Sequence, residues 1–257
     1  MPEHMPEILP FRYCEIRGLS FQLKASDIQM LALYYEFNEN ASHFFSSNQD
    51  LNRVYDLCKY SVKVNTFNGD YAASQRERML YEADAYINQM SHYAVDREFA
   101  IARYSHENLI FHATWPTEWI MHSILMAWAD YMQTGNSESL VKYYSDLRAK
   151  TLISLAREDG LISSQSEKLT EAVLQAIHFN GRQLRDIVDW PHGTPQGEEF
   201  RGARGSTPEG EIDGYVFMPI NTVVNAFHFH ALNLMSHIAE VVGATQDVVF
   251  FQERAQQ

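Results

Sequence analysis

From Asn48 onward, apolar side chains recur with the period of a single helical face. Leu51, Val54, Tyr55, Cys58 and Val62 fall at i, i+3, i+4, i+7 and i+11, and Asn48 or Asp50 can cap the start. The same period predicts a second helix from about Ala83 to Tyr104, with Ile87, Met90, Tyr93 and Ala94, then Phe99 and Ile101, on its apolar side. A third opens at Pro116, a residue suited to a first helical turn, and carries Ile120, Ile124, Leu125, Trp128 and Met132 to a stop at Gly135. A fourth, capped by Asn136 or Ser137, uses Leu140, Tyr143, Tyr144, Leu147, Leu152 and Leu155 and ends before Gly160. After a glycine- and proline-rich stretch over 158–220, a strong helix holds Val224, Phe227, Leu232, Met235 and Ile238 between about Asn221 and Val242. Another begins near Thr245.

Residues 11–37 behave differently. Phe11 to Ile16 and Leu31 to Phe37 are short aromatic-rich runs separated by Gly18, Ser20 and Ser26, and read as two strands. A lone strand pair is marginal, so these strands are expected to pack on the helices or to belong to a larger sheet. Helices that come in hairpins and stop in mid-pattern fit half of a helical toroid better than a closed bundle.

Composition narrows the chemistry. The chain has 257 residues, 46% of them hydrophobic, enough to fold around a sizeable core. Its formal charge of −13 argues against nucleic acid and anionic membrane as partners. No apolar run reaches membrane-helix length, and the polar, proline-punctuated Met1 to Pro10 is expected to carry no export signal. Cys14 and Cys58 cannot form a disulfide scaffold or a four-cysteine metal site, and are expected to be buried thiols. The eleven histidines show no metal-ligand spacing: His228 and His230 are two apart, and His92, His106, His112, His122 and His178 stand singly as packed or surface residues.

Two clusters can carry chemistry. Gln75 to Asp84 places Glu77, Glu82 and Asp84 with Arg76 and Arg78 around Tyr81, between two helices. Glycosidic cleavage uses one carboxylic acid to protonate the leaving oxygen and a second carboxylate to activate water or attack carbon, and arginines can hold hydroxyls or carboxylates in place. A charged interhelical loop with i, i+4 ion pairs accounts for the same residues. The second cluster is tryptophan-rich: Trp115 and Trp119 bracket a helix entrance, and Asp189-Trp190-Pro191 lies in the long loop. An indole face can carry a sugar ring while an adjacent acid takes its hydroxyls; core packing explains them equally, and Trp128 reads as core.

At these clusters the sequence resembles the bacterial α-L-rhamnosidases of glycoside hydrolase family 78. Arg76-Glu77-Arg78, the spaced Tyr81 and Asp84, the run Glu82-Ala83-Asp84-Ala85 into a helix, Trp119, Thr134-Gly135-Asn136 and Asp189-Trp190-Pro191 carry the resemblance, with Phe11-Arg12-Tyr13, Phe44 to Asn48 and Leu51-Asn52 as the lead-in. It spans about residues 10–242. It implies a mainly α (α/α)6 six-hairpin domain over 41–257, preceded by the end of a β-domain or linker over 1–40. It also implies inverting removal of terminal α-L-rhamnose from plant glycosides or polysaccharides, without a cofactor.

Carried over by position, Glu77 resembles the general acid, Tyr81 the aromatic four residues on, Asp84 the sugar-binding aspartate and Trp190 a pocket tryptophan. Trp119 corresponds to another tryptophan, Asp189 to an orienting or hydroxyl-binding acid, and Arg76 and Arg78 to sugar-positioning groups. Two departures stand out. Where the family has an aspartate shortly before its arginine, this chain has Tyr71-Ala72-Ala73-Ser74, with Asp70 out of register. No residue matches the family's downstream general base, so the expectation is an N-terminal section of the catalytic domain, incomplete alone, whose open helix faces meet a complementary chain or a second copy. The family commonly acts outside the cytoplasm. Two other readings remain: a non-catalytic carbohydrate-binding or scaffold protein built on the same half barrel, and a helical interaction module.

Overall fold

A computed structural model describes residues 11–67, 69–72, 78–187 and 218–257. Nine α-helices form the described structure: α1 (Gln49–Asn65), α2 (Glu82–Val95), α3 (Ala100–Phe111), α4 (Thr117–Thr134), α5 (Glu138–Lys142), α6 (Tyr144–Lys150), α7 (Glu171–Ala176), α8 (Thr222–Val242) and α9 (Thr245–Gln256). The mainly helical fold class is the one expected. Residues 11–47 contain a 3₁₀ turn at Ala25–Asp27 and no strand, so the two strands read at 11–16 and 31–37 are corrected. Their backbones find no partner strand among the described residues, and Phe11, Tyr13, Leu31 and Leu33 are exposed.

Helix α4 is the axis of the fold, with Ile120, Met121, Ile124, Leu125, Met126 and Ala127 all buried. Helix α8 lies against α4 and α9, and α2 and α3 also pack on α4. One core joins Ile120, Ile124 and Leu125 to Leu147, Leu155, Leu232, Met235, Ile238 and Phe251; a second joins Tyr71, Ala85, Ile101, Leu109 and Met126. Leu140, Tyr143, Leu147, Leu152 and Leu155 are buried as their pattern predicts. Trp128 packs against the main core, its ring stacked on His237 at 5.6 Å.

Helix ends follow local chemistry. The Asn48 side chain accepts the Asp50 N–H at the start of α1, and the Asn221 side chain accepts those of Val223 and Val224 at the start of α8. Gly135 (φ 69°) and Gly243 (φ 80°) end α4 and α8 in the left-handed conformation that glycine adopts without steric cost.

Three elements differ from the sequence pattern. The helix expected over 83–104 is two helices, because side chains compete with the continuing helix between them. The Asp96 carboxylate accepts the Arg97 N–H at 2.7 Å and the Asn38 N–H at 3.2 Å. Glu98 then accepts the Ala100 and Ile101 N–H groups that open α3. The helix expected to run on through Leu155 breaks into α5, α6 and a 3₁₀ turn at Ile153–Leu155, preceded by Leu152 at φ 59°. Within 158–220, α7 is an element the pattern did not show.

The buried faces of α1 and α2 differ in large part from those expected, although Val62 is buried as its spacing predicts. Leu51, Val54 and Cys58 of α1 and Ile87, Met90 and Ala94 of α2 face outward, whereas Lys59, Glu82, Gln89 and His92 are buried. Hydrogen bonds compensate most of these polar groups, Gln89 Oε1 being unpartnered among the described residues. Lys59 Nζ donates to the Glu39 and Ser42 carbonyls, Gln89 Nε2 to Tyr93 Oη and the Met126 carbonyl, and His92 meets Tyr71 and Asp96. Cys14 and Cys58 are exposed free thiols, which corrects the expectation of buried ones.

Candidate active site

The site is assembled where the chain turns into α2. Upstream, Tyr71 is fully buried: its N–H donates to Ser105 Oγ at 3.2 Å, and its hydroxyl lies 2.7 Å from His92 Nδ1. His92 Nε2 is 3.5 Å from Asp96 Oδ2. Burial lowers the His92 pKa against the opposing pull of Asp96, and desolvation carries the Tyr71 hydroxyl far above its ordinary value. Tyr71 is thus a fixed anchor six residues before Glu77 in the sequence. Arg76 and Glu77 lie outside the described residues, as do Asp189 and Trp190.

Downstream, Arg78 sits at φ 54°, a left-handed conformation uncommon for a residue with a side chain. Tyr81 is the N-cap residue of α2, in extended geometry, and Asp84 lies in the helix's first turn, where the macrodipole favours a negative charge. The half-buried Tyr81 ring meets the half-buried Trp119 ring edge to face, with centroids 5.9 Å apart at 68°. The fold therefore joins Tyr81, from the first sequence cluster, to Trp119, from the second, with Asp84 and Arg78 three residues to either side of Tyr81.

Glu82, between Tyr81 and Asp84, plays a different part from the acids around it. It is fully buried, its Oε1 accepting the Thr114 N–H at 2.9 Å and its Oε2 the Thr114 hydroxyl. Burial raises its pKa, opposed by the buried Lys150 and by the Thr114 bonds. Lys150, its Nζ 3.4 Å from the Leu109 carbonyl, is lowered by burial to about 8, with Glu82 and Asp146 pulling the other way. This contact ties the start of α2 to the turn that carries Trp115.

The entrance of α4 has its own framework. Pro116 precedes the helix at φ −70°, ψ 129°, one residue outside the first turn its sequence suggests. Arg185 N–H donates to the Trp115 carbonyl at 3.1 Å, Thr117 N–H to the Arg185 carbonyl at 2.8 Å, and Ile187 N–H to Glu118 Oε1 at 3.0 Å. Burial raises Glu118 to about 7, with Asp186 adding to the rise, and burial raises Asp186 itself against the hydroxyls of Thr117 and Ser164. Sequence reasoning placed Glu82 among the cluster's carboxylates without its buried role, and did not assign a role to Glu118, Asp186 or Lys150. The one local signal was the Glu118-Trp119 pair; the rest depends on contacts between residues 32 to 69 apart in the chain.

Three further histidines are held by hydrogen bonds within the fold. His122 Nδ1 bonds the Glu118 carbonyl, His228 Nδ1 the Thr151 carbonyl and His178 Nε2 the Asp146 carboxylate. Among the described residues no three His, Cys, Asp or Glu side chains are grouped to hold a metal ion, and no helix is long and apolar enough to cross a membrane.

Comparison with known proteins places this geometry. A search of curated proteins returned no match. Among solved structures, the chain resembles the crystal structure of a GH78 family rhamnosidase from Bacillus sp. GL1, with a TM-score of 0.61 and 18% identity over 87% of this chain. The chain spans 21% of the length of that protein, and at this identity the likeness establishes a shared fold. The model of the bacterial alpha-L-rhamnosidase six-hairpin glycosidase domain matches residues 39–257. With most of its length matched, the chain belongs to the bacterial alpha-L-rhamnosidase six-hairpin glycosidase domain family.

Proposed function

We propose that the protein is a glycoside hydrolase that removes terminal α-L-rhamnose from glycosides or polysaccharides with inversion, and that this chain supplies the acid side of the site. The observation that carries the reading is the meeting of Tyr81 and Trp119 at the start of α2, within a chain of the rhamnosidase domain family. An edge-to-face aromatic pair offers an apolar wall to the C–H face of a sugar, and Asp84 lies one helical turn from Tyr81 to take hydroxyls.

In this mechanism Glu77, protonated, donates to the glycosidic oxygen as the bond to the anomeric carbon breaks. Arg76, Arg78 and Asp84 hold the rhamnose, with Trp190 and Asp189 completing its pocket. Inversion requires an opposing carboxylate about 6.5–9.5 Å from the acid to activate water, a role given to none of the residues named here. The outward Leu51, Val54, Ile87 and Met90 support the further reading that a second copy or complementary chain covers this face. The segment 1–40 is read as the end of a preceding domain or linker.

The test is hydrolysis of para-nitrophenyl α-L-rhamnopyranoside at high enzyme concentration, beside Glu77→Gln. Removal of a general acid is expected to lower turnover at least about a hundredfold. Saturable rhamnose binding with no turnover, indifferent to Glu77→Gln, would replace this reading with that of a carbohydrate-binding protein.

A further inference from the structure

Glu118 stands beside Trp119 in the first turn of α4, yet its carboxylate does not reach solvent: the residue is 3% exposed. Its Oε1 accepts the N–H of Ile187, 69 residues further along the chain. With the two backbone bonds between Arg185 and the 115–117 turn, this contact stitches residues 185–187 onto the entrance of α4 in parallel. Ile187 is two residues before Asp189 and three before Trp190 in the sequence. A neutral amide would accept the same N–H without the cost of burying a charge, so the choice of a carboxyl calls for an explanation.

A second acid sits on the strap itself. Asp186 is also buried, and both Glu118 Oε2 and Asp186 Oδ1 are without a hydrogen-bond partner among the described residues. A Ser164 hydroxyl opposes the rise of Asp186, and His122, one turn along α4, bonds the Glu118 carbonyl. His122 is itself lowered by burial and so adds no charge near neutrality.

We infer that Glu118 is a positioning residue for the proposed sugar site, a buried clasp that fixes the 185–187 strap on the entrance of α4 and so holds the turn that presents Trp119. The inference rests on the sugar-site reading of Trp119. Uncharged, the carboxyl keeps the Ile187 N–H through its carbonyl oxygen without opposing Asp186. Ionised, it strengthens that bond but places a second charge beside Asp186 in a dry environment. Burial and Asp186 outweigh the bond, since the Glu118 carboxyl is raised to about 7. The clasp is therefore tight below neutrality and loosens as pH rises through about 7.

The experiment uses the full chain, with hydrogen exchange read on peptides covering 180–187 and L-rhamnose binding read by tryptophan fluorescence, at pH 6 and pH 8. In the wild type, protection of the strap, corrected for intrinsic exchange, should fall several-fold from pH 6 to pH 8. Glu118→Gln should show the same protection at both. Glu118→Ala should lose about tenfold in protection at pH 6, as expected for a lost buried hydrogen bond, and less at pH 8, where the wild-type clasp is already loosened; its rhamnose affinity at pH 6 should fall in parallel and be restored in Glu118→Gln. A folded Glu118→Ala chain with an unchanged strap, or one with a loosened strap and unchanged rhamnose affinity, would overturn the inference. If Glu118→Ala does not fold, equal pH dependence in the wild type and Glu118→Gln overturns it. A wild type that binds no rhamnose refutes the sugar site, while the exchange data still decide whether the clasp exists.

Discussion

The edge of one aromatic ring against the face of another, Tyr81 on Trp119 at 5.9 Å, joins the start of α2 to the start of α4 and brings together two sequence clusters that lie 38 residues apart. In a sugar site, Trp119 supplies apolar area and Tyr81 holds the indole in place. Trp119→Ala is expected to weaken L-rhamnose binding about tenfold or more. Trp119→Phe should recover part of the loss, and titration calorimetry of both variants checks the order.

Glu82 is expected to matter for stability more than for chemistry. Glu82→Ala removes the acceptor for both Thr114 groups and one of the two carboxylates, with Asp146, that favour the charge on buried Lys150. Leaving buried hydrogen-bonding groups unpaired costs about 1–3 kcal/mol, and urea unfolding of Glu82→Ala and Glu82→Gln should show the larger loss for alanine.

Much of the fold was legible because it follows from side chains acting on their own neighbourhood. The period of Val224, Leu232, Met235 and Ile238, the Asn221 cap and Gly243 delimit α8, and Gly135 ends α4. The faces of α1 and α2 were not legible. Counting apolar residues cannot reveal that Lys59, Gln89 and His92 find partners inside, leaving Leu51, Ile87 and Met90 outside. The break between α2 and α3 turns on Asp96 and Glu98 capturing backbone N–H groups, a competition that periodicity does not register. At the candidate site, Tyr81, Asp84 and Trp119 stood out by residue type and order. Glu118 and Asp186 did not, because their meaning depends on a strap that returns from 69 residues away.

The pH dependence of stability should carry the signature of Glu118. A carboxyl raised to about 7 binds its proton more tightly in the folded chain than in the unfolded one. Its contribution is therefore full below the ordinary carboxylate range and is lost as pH climbs to about 7. The difference in unfolding free energy between wild type and Glu118→Gln should change by on the order of 2 kcal/mol between pH 5 and pH 8. Denaturant melts at both pH values check it.

His106 acts with the opposite sign. Fully buried, with neither ring nitrogen partnered among the described residues, it is lowered to about 3. The folded state holds it neutral while the unfolded chain protonates near 6.5, so stability is lost as pH falls below that value. His106→Leu should be about as stable as the wild type or slightly more so at pH 7, since it removes unsatisfied polar atoms. It should also resist acid unfolding better, which circular dichroism from pH 7 to pH 4 would show.

The central claim is that Tyr81, Asp84 and Trp119 belong to a rhamnose subsite, and the most direct measurement is L-rhamnose binding to the intact chain by titration calorimetry, beside Trp119→Ala and Asp84→Asn. The account predicts saturable binding that prefers L-rhamnose to L-fucose and is weakened in both variants. A folded chain that binds neither sugar, or binds rhamnose equally well without Trp119 and Asp84, would contradict it.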